Sequence, residues 1–220
     1  MTTEPDAGEE RLEATLITRS QSGDTRAFNL LVERYQSGAY ALALRMVGDP
    51  DTAADVTQDA FFSAYRAIAS FKGASFRAWL YRIVSNACFD HFRAQSRRPT
   101  TSLDAALEPD PGDNSSGGEG RLGAALTDMA YEPERVALRA EVVERIQRAL
   151  LELAPDQRLA VILCDVQGLP YDEIARIMRT APGTVKSRIS RARAHLRAIL
   201  AREPELFGPG RRPTTEREGD

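Results

Sequence analysis

The sequence has few of the residues that build membrane spans, disulfide frameworks or metal centres. No apolar run approaches the roughly 18 to 20 residues that a membrane-spanning helix needs. The first residues also lack the basic-then-apolar order of a secretion signal. The only two cysteines, Cys88 and Cys164, lie far apart in apolar helical patterns, which is typical of small buried residues. We therefore expect a cytoplasmic protein with no membrane insertion, no metal and no cofactor.

Alternation of apolar and polar residues, which marks β-strands, is also missing. From Leu12 to Arg98 apolar residues recur at intervals of three and four, as on one side of a helix. Caps and breaks are predicted where Gly, Asp, Pro or Ser interrupt this pattern, at residues 22–24, 48–50 and 72–75. The pattern predicts an all-α protein.

Composition divides the chain into two small helical domains. Residues 1–11 are acidic and poor in apolar residues, which predicts a disordered tail. Residues 99–134 are rich in Pro, Gly and acids, which predicts a flexible acidic linker; no Lys-Ser or Lys-Thr follows its glycines, as a phosphate-binding loop requires. The predicted domains are thus 12–98 and 135–202, with a second disordered tail at 203–220.

The second domain ends in a helix-turn-helix pattern. A short amphipathic helix over residues 172–178 and a turn at 180–183 precede a longer helix from Thr184 to about Ala201. On the longer helix, Val185, Ile189 and Ala192 belong to an apolar stripe that faces the core, and Thr184 is expected to cap it.

The cations of the chain are concentrated in this same segment. The net charge of the whole chain, −3, argues against nucleic acid, but the average hides a segregated distribution. Residues 176 to 202 include no acid, whereas ordinary exposed helices mix both signs. Their eight cations are Arg176, Arg179, Lys186, Arg188, Arg191, Arg193, Arg197 and Arg202. This stripe favours contact with phosphates.

The first turns of the long helix carry residue types that read DNA. Ser187, Ser190 and Arg191 lie on its outward side, where they can approach base edges in the major groove. Lys186 and Arg188 flank them and suit phosphate contacts.

Aromatic residues and cations alternate between residues 71 and 93 of the first domain. Core packing explains part of this cluster, because Phe76 belongs to an apolar stripe that leaves Trp79, Arg82 and Asn86 on a neighbouring side. Aromatics beside cations also suit unstacked single-stranded bases. Spacing alone leaves both interpretations open.

An acidic stripe precedes this cluster. Asp51, Asp55 and Asp59 repeat every fourth residue, with Gln58 beside them, and like charges at this spacing repel. The stripe indicates either a basic partner or a simply solvated helix side.

Three segments in this order resemble the extracytoplasmic-function group of bacterial sigma factors. They are Asp55–Phe61 (DVTQDAF), Phe76–Asn86 (FRAWLYRIVSN) and Gly183–Arg193 (GTVKSRISRAR). The resemblance implies two helical domains that bind core RNA polymerase, through its β′ and β subunits, and direct it to promoter DNA. Such a protein performs no chemistry of its own, and many members are held inactive by an anti-sigma protein, which is thus an implied partner.

The resemblance also implies a role for individual residues. The first domain would recognise and melt the −10 element, and the second would read the −35 element. The residues implied in binding core polymerase are Asp55, Gln58, Asp59 and Phe62. Those implied in holding single-stranded −10 DNA are Phe71, Lys72, Phe76, Arg77, Trp79, Arg82 and Asn86. Those implied in −35 contacts are Thr184, Lys186, Ser187, Arg188, Ser190 and Arg191.

Two other classes of protein match the sequence less well. A response-regulator-type transcription factor also uses a C-terminal helix-turn-helix, but it needs a receiver or ligand domain, and the first block shows no alternating strand-helix pattern. An enzyme is disfavoured because the chain has two histidines, no metal-ligand spacing and no nucleophile motif.

Overall fold

The computed structural model describes residues 7–73, 75–97 and 133–203, and within these ranges the chain is all-α with no β-strand. The helices are α1 Ala7–Gln21, α2 Thr25–Val47, α3 Pro50–Ala67, α4 Phe76–Arg97, α5 Pro133–Leu151, α6 Pro155–Val161, α7 Tyr171–Met178 and α8 Pro182–Leu200. A 3-10 turn, Ile68–Ser70, follows α3, and a π-helical turn, Ile162–Val166, continues α6. The predicted fold class is confirmed.

The predicted helix boundaries of the first domain follow from local capping chemistry. The Asp24 carboxylate accepts the backbone N–H groups of Arg26 and Ala27 at 2.9 and 3.1 Å, which starts α2. Gly48 ends α2 in the left-handed region, at a φ of 87°. Asp49 then accepts the N–H of Thr52 at 2.8 Å and starts α3. The stops predicted at residues 22–24 and 48–50 are therefore confirmed.

The N-terminal boundary was predicted wrongly. Residues 7–11 were assigned to a disordered tail, but they form the first turns of α1. The reason lies on α2, where the Arg34 guanidinium reaches Glu9 at 3.0 Å and Glu13 at 3.6 Å, and the Tyr35 hydroxyl donates to Glu13. Burial and the neighbouring carboxylate raise the pKa of Tyr35. Residues 1–6 lie outside the described residues.

The second domain consists of α5 to α8. Helix α5 begins at Pro133, two residues before the predicted boundary; the rest of the predicted linker lies outside the described residues. At the other end, Glu203 was assigned to a tail, yet its carboxylate accepts a hydrogen bond from Arg145 at 2.5 Å. The rest of that tail, 204–220, is outside the described residues.

The two domains pack against each other. One cluster of buried apolar side chains runs from the first domain into the second, and helix α4 contacts α7 while α2 contacts α5. Cys88 lies in this cluster, fully buried as expected, and burial raises the pKa of its thiol to about 12. Cys164 is only half-buried.

Candidate nucleic-acid and protein interfaces

The exposed side of α3 carries an acidic face, made of Asp55, Gln58, Asp59 and Phe62. All four side chains are exposed, and Phe62 is 54% exposed although it is a large aromatic residue. Asp55 and Asp59 lie one helical turn apart, and neither has a salt-bridge partner in the part of the chain that the structure describes. Because like charges at this spacing repel each other, cations from a partner would stabilise this face.

An open groove of about 970 Å³ borders the acidic face and is lined by residues of α2 and α3. Its walls are mainly apolar and include Phe28, Val32 and Tyr40 of α2 and Phe61 and Phe62 of α3. No local sequence pattern predicts this groove, because its walls come from two different helices. A partner with both apolar and basic residues can thus contact the walls of the groove and the acids of the acidic face at the same time.

The aromatic residues at the start of α4 form a packed cluster. The ring centroid of Phe71 lies 5.0 Å from that of Trp79 and 5.8 Å from that of Phe76, and Trp79 lies 5.4 Å from Phe76. Phe76 is 1% exposed and Phe71 is 7% exposed. Core packing therefore accounts for both phenylalanines in this conformation, in which neither ring is free to stack on a base. The single-strand contacts predicted for them stay a prediction.

The polar residues around this cluster form a second surface, the aromatic-basic face, made of Lys72, Arg77, Trp79, Arg82 and Asn86. Lys72 and Asn86 are exposed, and the other three are half-buried. This face can contact a nucleic acid in two ways. Its cations suit phosphates, and the Asn86 amide and the Trp79 indole suit a base.

The loop before α4 is fixed from two sides. The Gln21 side-chain amide donates to the backbone carbonyl of Phe71 at 2.7 Å. The Ser75 hydroxyl accepts the N–H of Ala78 at 3.2 Å and caps α4. Gly73 allows the loop to pass over the Phe71 ring, because a Cβ there would lie 2.9 Å from Phe71 Cε2. The loop that carries Lys72 of this face is thus held in place by α1, a contact that sequence reasoning missed.

The predicted helix-turn-helix is present. Arg179 ends α7 in the left-handed region, at a φ of 51°, and the N–H of Thr180 donates to the Ala175 carbonyl at 3.0 Å. Helix α8 buries Val185, Ile189 and Ala192, as its apolar stripe predicted. This packing turns the opposite side of α8 outward.

One detail at the start of α8 was predicted wrongly. Thr184 was expected to cap the helix, but α8 begins at Pro182, and its N-cap residue, Ala181, makes no side-chain hydrogen bond. The fixed φ of proline suits the first helical position and needs no capping side chain. Thr184 instead lies in the first turn, half-buried, and its carbonyl accepts the Ser187 hydroxyl at 2.9 Å.

The recognition face of α8 consists of Lys186, Ser187, Ser190 and Arg191. Lys186, Ser190 and Arg191 are exposed and Ser187 is half-buried. The Arg191 guanidinium donates to the Ser187 hydroxyl at 3.2 Å, so the two side chains lie together on the surface. These are donors and acceptors of the kind that contact base edges in a major groove.

Two cations of the basic stripe have acidic partners on other helices. Arg188 contacts the Asp156 carboxylate of α6 at 2.9 Å and is only 25% exposed. Arg193 contacts Asp165 of the π-helical turn at 2.5 Å. A hydrogen bond from Arg193 lowers the pKa of Asp165, and that carboxylate raises the pKa of Arg193. In this structure Arg188 is thus paired with Asp156, and the phosphate contact predicted for it stays a prediction.

The described residues contain no cluster of three metal-ligating side chains and no helix long and apolar enough to cross a membrane.

Sequence profiles of two known families match the two domains. The profile of Sigma-70 region 2 matches residues 31–98, which include the acidic face and the aromatic-basic face. The profile of Sigma-70 region 4 matches residues 143–196, which include the helix-turn-helix. The order of the two matches is the order of the two domains.

Similar proteins extend this likeness over most of the chain. The RNA polymerase sigma-H factor of Pseudomonas aeruginosa is 41% identical over 181 residues, which cover 81% of this chain and 88% of that protein. The ECF RNA polymerase sigma-E factor of Escherichia coli K12 is 41% identical over 186 residues, covering 84% of this chain and 92% of that protein.

Two solved structures share the fold. The CnrH structure, determined in complex with the cytosolic domain of CnrY, is similar with a TM-score of 0.60 and 29% identity, over 87% of this chain and 99% of CnrH. The sigma factor RpoE of Bartonella quintana, in complex with the anti-sigma factor NepR, is similar with a TM-score of 0.58 and 27% identity, over 80% of this chain and 98% of RpoE.

The chain belongs to the extracytoplasmic-function group of the sigma-70 family of RNA polymerase sigma factors. Its function is that of an alternative sigma factor, which recognises promoters and takes part in transcription initiation. The response-regulator alternative is not favoured.

Proposed function

We propose that each of the three faces described above carries one part of the function of this sigma factor. The observation that carries the proposal is the contrast in exposed charge between the domains: unpaired acids on α3 and mostly unpaired cations on α7 and α8. One domain is thus suited to a basic protein surface and the other to DNA.

The acidic face binds core polymerase, on the clamp helices of the largest subunit, β′. Asp55 and Asp59 are exposed without salt-bridge partners in the described ranges, so pairing with cations of the polymerase removes their mutual repulsion. Exposed Phe62 and the adjoining groove add apolar contact area. Gln58 lies between the two acids and adds an amide to the same face.

The aromatic-basic face holds the −10 element once its strands separate. Lys72 and the half-buried Arg77 and Arg82 attract the phosphates of one strand. Asn86, exposed on the same helix, offers both a donor and an acceptor to the edge of a base that has left the stack.

The recognition face reads the −35 element in the major groove. Arg191 is the base reader, because exposed arginines at this place in a recognition helix can donate two hydrogen bonds to guanine. Ser187 supports it through their mutual hydrogen bond. Arg176 and Arg179 of α7 are exposed and attract the DNA backbone.

The protein itself catalyses no reaction in this proposal, and it works in the compartment that holds the polymerase and the chromosome, the bacterial cytoplasm. An anti-sigma protein is a further proposed partner. The support is that CnrH and the Bartonella RpoE, which share this fold, were each solved with a bound partner, NepR being named as an anti-sigma factor.

The test is run-off transcription by purified core polymerase, with and without this chain, on fragments of the genome from which the sequence comes. We expect promoter-specific transcripts only when the chain is present. Equal transcription with and without the chain would contradict the proposal.

A further inference from the structure

Helix α1 ends beside the loop that carries Lys72. Its last residue, Gln21, is half-buried, and its side-chain amide donates to the Phe71 carbonyl at 2.7 Å and to the Ile68 carbonyl at 3.4 Å. The Phe71 N–H donates to the same Ile68 carbonyl at 3.0 Å. One side chain of α1 therefore joins both ends of the turn that leads from α3 into the loop.

The backbone on either side of Gln21 is fixed independently of the loop. The buried Ser20 hydroxyl donates to the Leu16 carbonyl at 2.7 Å. The Arg19 guanidinium contacts the Asp24 carboxylate at 2.6 Å, and that carboxylate also caps α2. Gln21 thus lies in a corner whose hydrogen bonds come from α1 and α2 alone.

The exposed part of the loop has little to fix its shape except its two ends. Lys72 and Gly73 are exposed, and neither makes a hydrogen bond among the residues that the structure describes. At the far end Ser75 caps α4, and at the near end Phe71 is held by Gln21 and by its buried ring. Because fixing a backbone residue costs conformational entropy, a loop that is fixed in advance loses less entropy when it binds a ligand.

Phe71 connects Gln21 to two groups of the aromatic-basic face. Lys72 follows Phe71 in the chain, and the ring centroid of Phe71 lies 5.0 Å from that of Trp79. A displaced Phe71 therefore moves both a cation suited to phosphates and an indole suited to a base. Gln21 itself is not part of this face, so its contribution depends on Phe71.

We propose that Gln21 is a positioning residue for the −10 element: its amide holds Phe71, and through Phe71 the aromatic-basic face, in the shape that binds the separated strand. This inference rests on the proposed function of that face. The loop is ordered before DNA binds, so loss of the hydrogen bond lowers the affinity for the −10 strand without removing any group that contacts it.

Two substitutions remove this donor from the full-length chain. Gln21→Met keeps the length of the side chain but has no N–H, and Gln21→Glu places a carboxylate against two carbonyl oxygens. The matched controls are Gln95→Met and Gln95→Glu. Gln95 is exposed on α4, nine residues beyond Asn86 and so on the opposite side of that helix.

The free chain reports on the loop directly, because Trp79 is its only tryptophan. Quenching of the Trp79 fluorescence by acrylamide measures how exposed the indole is. We expect more quenching in both Gln21 variants than in wild type, since the Phe71 ring no longer keeps one place beside Trp79. Circular dichroism checks helix content, and either variant alone decides the result if the other does not fold.

Holoenzymes made with each chain report on binding. The probe is a labelled single-stranded oligonucleotide with the non-template −10 sequence of a promoter that the wild-type holoenzyme transcribes, compared with a scrambled oligonucleotide. We expect Gln21→Met to weaken binding to the −10 oligonucleotide about fivefold, the order of one neutral hydrogen bond, and Gln21→Glu to weaken it more. The affinities for core polymerase and for a −35 duplex should not change, and the Gln95 variants should match wild type.

The inference is overturned if the Gln21 variants bind the −10 oligonucleotide like wild type, or if they lose affinity with unchanged Trp79 quenching. An equal loss of affinity for core polymerase would also overturn it, because Gln21 would then support the whole domain rather than the loop. Failure of the proposed function has a different signature: the wild-type holoenzyme would transcribe no promoter, or would bind both oligonucleotides equally.

Discussion

Helices α3 and α8 both expose charged side chains, but the two helices differ in whether those side chains have ion-pair partners. The acids of α3 have no partner in the described chain, whereas α8 fixes Arg188 and Arg193 with acids from α6 and the π-helical turn. The unpaired acids are suited to a rigid protein partner that brings its own cations. The paired arginines link α8 to α6 and to the π-helical turn, and the unpaired cations beside them are suited to phosphates.

The largest effect is expected from the acids of α3. The double substitution Asp55→Arg with Asp59→Arg should lower the affinity for core polymerase at least 100-fold, because both acids are expected to face cations. Helix content should not change, since both side chains are exposed. Co-purification with core polymerase measures the effect.

Glu141→Arg with Glu152→Arg provides the matched control for this experiment. These acids are exposed on the second domain, and the net charge changes by the same amount. If both double variants lost binding equally, net charge rather than the acidic face would be responsible.

A smaller effect is expected from the base reader on α8. Arg191→Ala should cost about 1 to 3 kcal/mol of binding and relax the preference at one or two positions of the −35 element. Arg202→Ala, beyond the end of the same helix, should weaken all sequences alike. Promoter-library selection with each holoenzyme distinguishes the two, and an unchanged −35 preference in Arg191→Ala would show that the helix lies differently in the groove.

Asn86→Ala, in the first domain, should affect promoter opening and promoter binding to different extents. The loss of a partner for the unstacked base should slow promoter opening more than formation of the closed complex. A template already melted at the −10 element should restore activity. Equal loss on duplex and melted templates would give Asn86 a structural role instead.

The smallest effect is expected from the salt bridges of α8. Asp165 has a lowered pKa because Arg193 hydrogen-bonds to it, so its contribution to stability is present above the ordinary Asp pKa and is lost as pH falls through the lowered value. Asp165→Asn should therefore lower stability at pH 7, by about 0.2 to 1 kcal/mol for this exposed pair, and have less effect in acid. Urea unfolding at both pH values measures this; an equal loss at both would contradict it.

The sequence predicted the features that depend on neighbouring residues. Asp24, Gly48 and Asp49 cap or end helices through groups a few residues away, so their roles could be inferred. The buried side of α8, with Val185 and Ile189, follows from helical periodicity in the same way.

Features that depend on distant contacts could not be predicted. Arg188 looked like a free cation because its partner, Asp156, lies on another helix. Phe71 and Phe76 share one segment with Trp79, and only packing shows that the phenylalanines are buried while Trp79 is half-buried. The hydrogen bond from Arg158 to the Met46 carbonyl joins residues 112 positions apart, which no local pattern reveals.

The central claim, that the exposed acids of α3 and the DNA-binding faces act together on one polymerase, is tested most directly by permanganate footprinting of a promoter. We expect reactive thymines at the −10 element when core polymerase and this chain are both present. No reactivity is expected with either alone, or with the Asp55→Arg and Asp59→Arg chain. Unchanged reactivity with that double variant would contradict the account.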